Sequence, residues 1–136
     1  MILVDTSVLI DYLKGAENLK TDIFETVLKQ QLPYGIAAYT YQEVLQGARD
    51  EKEYRKLKEY LSTQRIYFMP ETPETYGKAA RIFFDLRRKG VAPRSATDIM
   101  ITLIAIEYNL FLLHNDRDFD AISESVAGLK IMKALV

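Results

Sequence analysis

The chain has 136 residues, 49% of them hydrophobic, a length that accommodates one hydrophobic core but not two ordinary domains. Its 18 basic and 19 acidic side chains give a formal charge of −1, which excludes a polycation that binds nucleic acid over its whole surface. The lack of cysteine and the single histidine exclude a disulfide framework, a thiolate nucleophile, a His₃ zinc site and a nuclease with two catalytic histidines. We therefore expect a single domain over residues 1–136.

The N-terminal segment alternates one short apolar run with two helical patterns. Residues 2–5 are predicted to form a buried strand, and Thr6 or Ser7 is predicted to cap a short helix that ends near Gly15. Residues 19–31 repeat apolar side chains at helical spacing. Neither a basic segment nor a long apolar stretch opens the chain, so we expect no signal peptide and no membrane span, and a soluble cytoplasmic protein.

The middle of the chain contains two more short apolar runs. Residues 35–38 and 66–69 are predicted to be strands because each run is apolar and too short for a buried helix. Thr40 and Glu43 fit a capping box that opens a helix after the first of these strands. A further helix is predicted over residues 54–61, where apolar side chains recur at helical spacing.

The C-terminal part begins with a predicted helix that starts at Pro73 and stops at Gly90, with one wide apolar face over residues 76–84. A helix that starts at Ser95 or Thr97 is apolar almost all the way round and is therefore predicted to be central and buried. The remaining predicted elements are a strand over 110–113, a helix over 118–124 and a strand over 129–132. Short apolar strands that alternate with helices predict an α/β fold, a three-layer α/β/α arrangement with a mostly parallel central sheet of four to five strands.

Four acidic side chains fall where predicted strands end or predicted helices begin. Asp5 ends the first strand, and Asp116 follows the fourth. Glu43 and Asp98 lie in the first turns of helices. Because parallel sheets of this class place functional groups beyond the carboxyl ends of their strands, these four side chains can converge.

Converging carboxylates require a compensating charge. Two unit charges about 5 Å apart repel each other by roughly 3 kcal/mol at an effective dielectric constant of about 20. Either bound protons or a hard divalent cation relieves this repulsion. Oxygen ligands without histidine or cysteine favour Mg²⁺ or Mn²⁺ over zinc and copper, so a magnesium or manganese site is one of the two predictions for this cluster.

Each acid except one also has a purely structural interpretation. Glu43 and Asp98 can satisfy backbone amides as the last residues of capping-box patterns. Asp116 can be a turn residue, and Asp118 is predicted to be the N-cap of the short helix that follows it. Asp5 is harder to explain in this way, because an unpaired carboxylate at the end of an apolar strand is costly.

Taken in order, these segments resemble a PIN domain and, more narrowly, the VapC-type toxins of toxin–antitoxin pairs. The resemblance covers nearly the whole chain. It is carried by Asp5-Thr6-Ser7 after the first strand, Glu43 at a helix start, Asp98 before an apolar stretch, and His114-Asn115-Asp116-Arg117-Asp118-Phe119. Each motif alone is weak, but the ordered set is specific.

The resemblance implies a PIN-like nuclease domain that forms a homodimer and cleaves RNA with Mg²⁺ or Mn²⁺ until a VapB-like antitoxin inhibits it. It assigns the acidic cluster to Asp5, Glu43, Asp98 and Asp116, with Ser7 and Asp118 as helpers. Asn115 is a further possible helper that orients Asp116 or only ends the strand. His114 departs from the family pattern, in which a small hydroxyl residue is common, and we interpret it as a hydrogen-bonded interior residue.

In the resulting hypothesis, a metal-activated water attacks the phosphorus in line with the leaving 3′-oxygen, and RNA contacts come from a local basic surface. Residues 49–94 contain 12 basic and 7 acidic side chains, an asymmetry that is also typical of a solvated helix face. The predicted phosphate contacts are Arg87, Arg88, Lys89, Arg94 and Arg117.

Two other classes of function compete with this hypothesis. The first is a non-catalytic module that binds RNA or protein, in which the acids only cap helices. The second is a phosphohydrolase or phosphoacceptor domain with an aspartyl nucleophile. Asp5 is followed by Thr6-Ser7 and lacks the second acid two positions on that one large phosphatase class carries, so the second alternative ranks last.

Overall fold

A five-stranded sheet forms the centre of the computed structural model, which describes residues 1–134. Its strands are β1 (Ile2–Val4), β2 (Tyr34–Ala37), β3 (Ile66–Tyr67), β4 (Phe111–Leu113) and β5 (Lys130–Ile131). All neighbouring pairs are parallel, in the order β3-β2-β1-β4-β5. The predicted parallel sheet is thus confirmed, although several strands are shorter than the apolar runs that predicted them.

Helices cover both faces of this sheet. They are α1 (Thr6–Leu13), α2 (Leu19–Lys29), α3 (Ala38–Gln46), α4 (Glu51–Ser62), α5 (Pro73–Arg88), α6 (Ala96–Glu107) and α7 (Arg117–Ser125). One core cluster contains residues of α1 to α4, and the other contains residues of α5 to α7. Two helical layers around one sheet confirm the predicted α/β/α arrangement. No helix within residues 1–134 is both long and apolar enough to cross a membrane.

The central strand β1 shows why its sequence is apolar without alternation. Ile2 and Val4 belong to the first core cluster, whereas Leu3 belongs to the second. Successive side chains of a strand point to opposite faces, and both faces of this sheet are covered. All three side chains are therefore buried, and a continuous apolar run is the expected pattern.

Helices α5 and α6 differ in how well their apolar patterns predicted burial. Residues 99–105 of α6 are all buried, as expected for a central helix. In α5, by contrast, Tyr76 is 51% exposed and Phe84 is 40% exposed. The wide apolar face predicted for α5 is therefore only partly buried, whereas Leu86, which lies outside that predicted face, is fully enclosed.

Gly35 allows close contact between β2 and β3, and its replacement by alanine is expected to destabilise the protein. A Cβ atom there would lie 2.5 Å from Tyr67 Cε2 and 2.9 Å from the backbone oxygen of Arg65. Relieving this overlap requires a shift of a strand, so we expect a loss of about 1–3 kcal/mol in the free energy of unfolding.

Urea unfolding measures this loss, and Gly77→Ala is the matched control. Gly77 lies inside α5 with nothing within 4 Å of an added Cβ, so alanine should stabilise the protein there by about 0.5–1 kcal/mol. Equal effects of the two substitutions would contradict the assigned role of Gly35.

Candidate active site

The candidate site lies at the carboxyl ends of three adjacent strands. Asp5 directly follows β1, α3 with Glu43 directly follows β2, and Asp116 lies three residues after β4. The strand order reverses direction between β1 and β4, which is the position where parallel sheets of this class open a crevice. Asp98 reaches the same region from the first turn of α6.

Asp5 is 4% exposed and is the N-cap of α1. Its Oδ2 accepts hydrogen bonds from the Ser7 backbone N–H at 3.0 Å and from the Ser7 hydroxyl at 2.6 Å. Burial raises the pKa of the Asp5 carboxyl, while the bonds from Ser7 act in the opposite direction. The prediction that Thr6 or Ser7 caps this helix is wrong, because the strand delivers the Asp5 carboxylate to the first free amides of α1.

Ser7 links the ends of β1 and β4. While its hydroxyl donates to Asp5, its oxygen accepts a hydrogen bond from the Asn115 backbone N–H at 2.9 Å. The Asn115 side chain donates to Asp11 Oδ2 at 3.2 Å. Ser7 and Asn115 therefore hold together the two segments that carry Asp5 and Asp116.

Glu43 does not form the predicted capping box. Helix α3 begins at Ala38, immediately after β2, and its N-cap makes no side-chain hydrogen bond. Thr40 and Glu43 thus lie within the helix, where the Thr6 hydroxyl is 3.0 Å from Thr40 Oγ1 and 2.9 Å from Glu43 Oε1. The contact with Thr6 holds Glu43 beside the start of α1, next to Asp5.

Asp98, Asp116 and Asp118 each offer a carboxylate oxygen, and these oxygens lie within 4.8 Å of one another. Burial raises the pKa of Asp98 from 3.8 to about 7, and four neighbouring carboxylates add to the rise. In decreasing order of effect these are Asp5, Asp116, Asp118 and Glu43. The four predicted acids and Asp118 therefore form one charged cluster, in which the other four carboxylates raise the pKa of Asp98.

The role that the sequence predicted for Asp118 at the start of α7 differs from the one in the structure. The N-cap of α7 is Asp116, whose Oδ1 accepts from the Asp118 backbone N–H at 2.9 Å. The prediction that Asp118 is the N-cap is therefore wrong, and its carboxylate belongs to the three-acid group instead. The Asp-x-Asp spacing was the available signal, because a cap and the second residue of its helix lie at the same helix end.

An oxygen-only group of this kind suits a hard divalent cation. Its members are partly buried carboxylates, and burial, followed by repulsion from the neighbouring carboxylates, raises the pKa of Asp98. Octahedral ions such as Mg²⁺ and Mn²⁺ take this ligand type. The residues present therefore fit the cation that the sequence predicted.

Comparison with known proteins identifies the family. A family model described as PIN domain matches residues 2–125. The chain belongs to the PIN domain family. A VapC ribonuclease of Mycobacterium bovis and a ribonuclease VapC of Mycobacterium tuberculosis are each 26% identical to this PIN domain over 124 residues, which is 90% of this chain and 92% of each relative.

Solved structures share the fold of this PIN domain. VapBC-1 from nontypeable Haemophilus influenzae superposes with a TM-score of 0.72 at 22% identity, covering 97% of each chain. VapBC2 from Rickettsia felis, bound to a DNA fragment from the promoter, also gives a TM-score of 0.72, at 19% identity and over 97% of this chain and 98% of that one. The predicted family resemblance is confirmed.

The five basic residues predicted to contact RNA differ in their contacts within the PIN domain. Arg94 Nε lies 3.0 Å from Asp118 Oδ2, and its Nη2 lies 3.8 Å from Asp116 Oδ1. Lys89 donates to the backbone oxygen of Ser125 at 2.8 Å. The other three are exposed: Arg87 and Arg88 at the end of α5, and Arg117 at the start of α7. Arg94 is thus the basic side chain seen in contact with the acids.

His114 is an interior residue at the end of β4, 2% exposed. Its ring lies 5.2 Å from that of Phe119. Burial lowers the pKa of the imidazole, with the charges of Asp120 and Asp116 opposing that effect. This location agrees with the interpretation of His114 as a hydrogen-bonded interior residue.

Proposed function

We propose that this PIN domain, acting as one unit over residues 1–136, is a divalent-metal-dependent endoribonuclease. The observation that carries the proposal is the convergence of Asp98, Asp116 and Asp118 within 4.8 Å, beside the charges of Asp5 and Glu43. The curated relatives named above are ribonucleases, which supports RNA as the substrate class. We propose that the protein acts in the cytoplasm, where cellular RNA is found.

Asp5, Asp98 and Asp116 are proposed to hold Mg²⁺ or Mn²⁺ directly or through water, with Asp118 as an outer ligand. A bound ion of this kind supplies Lewis acidity at a phosphate oxygen and lowers the pKa of a coordinated water. Glu43 holds a second ion or orients the attacking water. Thr6 contacts Glu43 Oε1, which leaves the Glu43 carboxylate further acceptor sites for a hydrogen bond from that water.

The RNA backbone requires positive charge beside this acidic site. Arg94 contacts Asp116 and Asp118, and its side chain is 79% exposed. Its guanidinium group can therefore also contact a phosphate that binds on the solvent side of these acids. The exposed Arg87, Arg88 and Arg117 extend the same role. Lys89 donates to the backbone oxygen of Ser125, and its ammonium group keeps two further donors for a phosphate.

The biological setting that we infer is a toxin–antitoxin pair. The solved structures of similar fold include VapBC complexes. We propose a VapB-like antitoxin as the inhibitory partner of this chain and a homodimer as its assembly. Coexpression with the product of an adjacent small reading frame, followed by size-exclusion chromatography with light scattering, tests both.

The chemistry of the product ends tests the reaction. Attack by water with departure of the 3′-oxygen leaves a 5′-phosphate and a 3′-hydroxyl, and it does not use the 2′-hydroxyl. We expect structured RNA incubated with the protein and Mn²⁺ to give such ends, read by ligation and mass spectrometry. A 2′-deoxy substitution at the cleaved position should leave cutting intact.

Asp5→Asn protein, purified in the same way, is the control for contaminating nucleases. Ends with 2′,3′-cyclic phosphate would overturn the proposed mechanism. RNA that is bound but never cut would instead establish the non-catalytic binding module.

A further inference from the structure

His114 is a buried polar residue that the proposed reaction does not use. It is the first residue after β4, two positions before Asp116, and its side chain is enclosed beside Phe119. A buried imidazole is costly unless its nitrogens find partners. The contacts of those two nitrogens therefore indicate what the residue does.

The Asp116 backbone N–H donates a hydrogen bond to His114 Nδ1 at 3.1 Å. A ring nitrogen that accepts a hydrogen bond carries no proton, so this contact selects the neutral ring with its proton on Nε2. Nε2 in turn lies 3.3 Å from Asp120 Oδ1, without the alignment of a hydrogen bond. One nitrogen thus holds the backbone of an active-site acid, and the other faces a carboxylate.

The geometry is that of an Asx turn, in which a side-chain acceptor binds the backbone N–H two residues later. His114 Nδ1 is separated from its own Cα by the same number of bonds as the Oδ1 of an asparagine. The preceding N–H of the chain is also held, because the Asn115 N–H donates to the Ser7 hydroxyl oxygen. Both amides that lead into Asp116 are therefore fixed by side chains.

We propose that His114 is a positioning residue: through Nδ1 it fixes the backbone of Asp116 and so directs the Asp116 carboxylate toward Asp98 and Asp118. This inference rests on the proposed function, because it takes Asp116 to be a ligand of the metal ion.

His114→Asn and His114→Leu form a matched pair that tests the proposal. The two new side chains have nearly the same shape, but only asparagine supplies an acceptor at the place of Nδ1. Isothermal titration with Mn²⁺ should give a dissociation constant about 10-fold or more higher for His114→Leu, a loss typical of an orienting partner of a metal ligand. For His114→Asn the constant should stay within about 3-fold of the wild-type value.

Three results overturn the proposal. In the first, the His114→Leu protein binds Mn²⁺ as tightly as the wild type does. In the second, the His114→Asn protein binds Mn²⁺ as poorly as His114→Leu. In the third, the wild-type imidazole carries its proton on Nδ1. The last is read from the ring ¹⁵N chemical shifts of the unsubstituted protein and does not depend on whether either variant folds. Slow exchange of the Asp116 amide in the wild type, and faster exchange in His114→Leu than in His114→Asn, would support the proposal.

Failure of the proposed function gives a different set of results. If the wild-type protein neither binds Mn²⁺ nor cleaves RNA, the nuclease assignment is wrong. The ring ¹⁵N shifts and the exchange rate of the Asp116 amide then still decide whether His114 holds that backbone.

Discussion

Replacing Asp98 with asparagine is expected to reduce RNA cleavage by at least about 10²–10³-fold, the loss typical when one electrostatic contribution to a transition state is removed. The amide keeps the shape of the side chain but carries no charge to offer a cation. Initial rates with a short RNA under Mn²⁺ saturation measure this effect. Asp22→Asn, an exposed position in the first turn of α2, is the matched control and should cleave at the wild-type rate.

The same substitution should stabilise the metal-free protein at pH 8. The pKa of Asp98 is about 7 in the folded protein, against 3.8 as its ordinary value. Between these values the folded state binds more protons than the unfolded state, so the contribution of Asp98 to stability falls as pH rises from about 4 to 7. Full linkage would amount to about 4 kcal/mol, and because the side chain is half-buried we expect about 1–2 kcal/mol after solvent screening.

Thermal unfolding in EDTA at pH 5 and pH 8 checks the sign. The stability gain of Asp98→Asn should be largest at pH 8 and less than half as large at pH 5, where the folded wild-type carboxyl is protonated but the unfolded one is mostly ionised. A variant that is less stable than the wild type at both pH values, or one that still cleaves normally, would refute the assignment of Asp98 to the charged cluster.

Removal of divalent metal is expected to abolish cleavage, and metal affinity should rise steeply with pH. A ligand must lose its proton before it binds a cation, so protons compete with Mn²⁺ at Asp98. With a pKa near 7, the ionised fraction of Asp98 increases about 10-fold between pH 6 and pH 8, and the Mn²⁺ dissociation constant should fall by about the same factor. At 100 times that constant, Mn²⁺ should stabilise the fold by about 2.7 kcal/mol.

Calorimetric titrations in two buffers of different ionisation enthalpy measure both the affinity and the proton release. About one proton per bound ion should be released at pH 6, and very little at pH 8. Asp98→Asn should bind more weakly and lose most of this pH dependence. An affinity that does not vary between pH 6 and pH 8 would show that the Asp98 proton does not compete with the metal.

Much of the fold was predictable because its signals are local. The run Ile2–Val4 is apolar without alternation, which requires a strand covered on both faces, and β1 is that strand. The burial of α6 followed in the same way from an apolar surface that leaves no polar face. Asp5 was recognisable as a functional candidate since a carboxylate at the end of such a strand needs a partner.

Contacts between distant segments were not predictable. Thr40 and Glu43 match a capping box, yet the structure uses them to meet Thr6, 34 and 37 residues earlier in the chain. The amphipathic pattern of α5 did not reveal that Tyr76 and Phe84 would remain exposed, because burial depends on what packs against a helix as well as on its own period.

The sequence by itself determined which strands exist, that they run parallel, and that acidic residues follow them, because periodicity and strand ends are properties of short segments. Only the tertiary structure decided that Asp118 joins Asp98 and Asp116, and that Ser7 ties the end of β1 to the end of β4. The physical reason is the short range of these interactions. Hydrogen bonds and the repulsion between two carboxylates are strong only over a few ångströms, and the order of the strands decides which distant residues come that close.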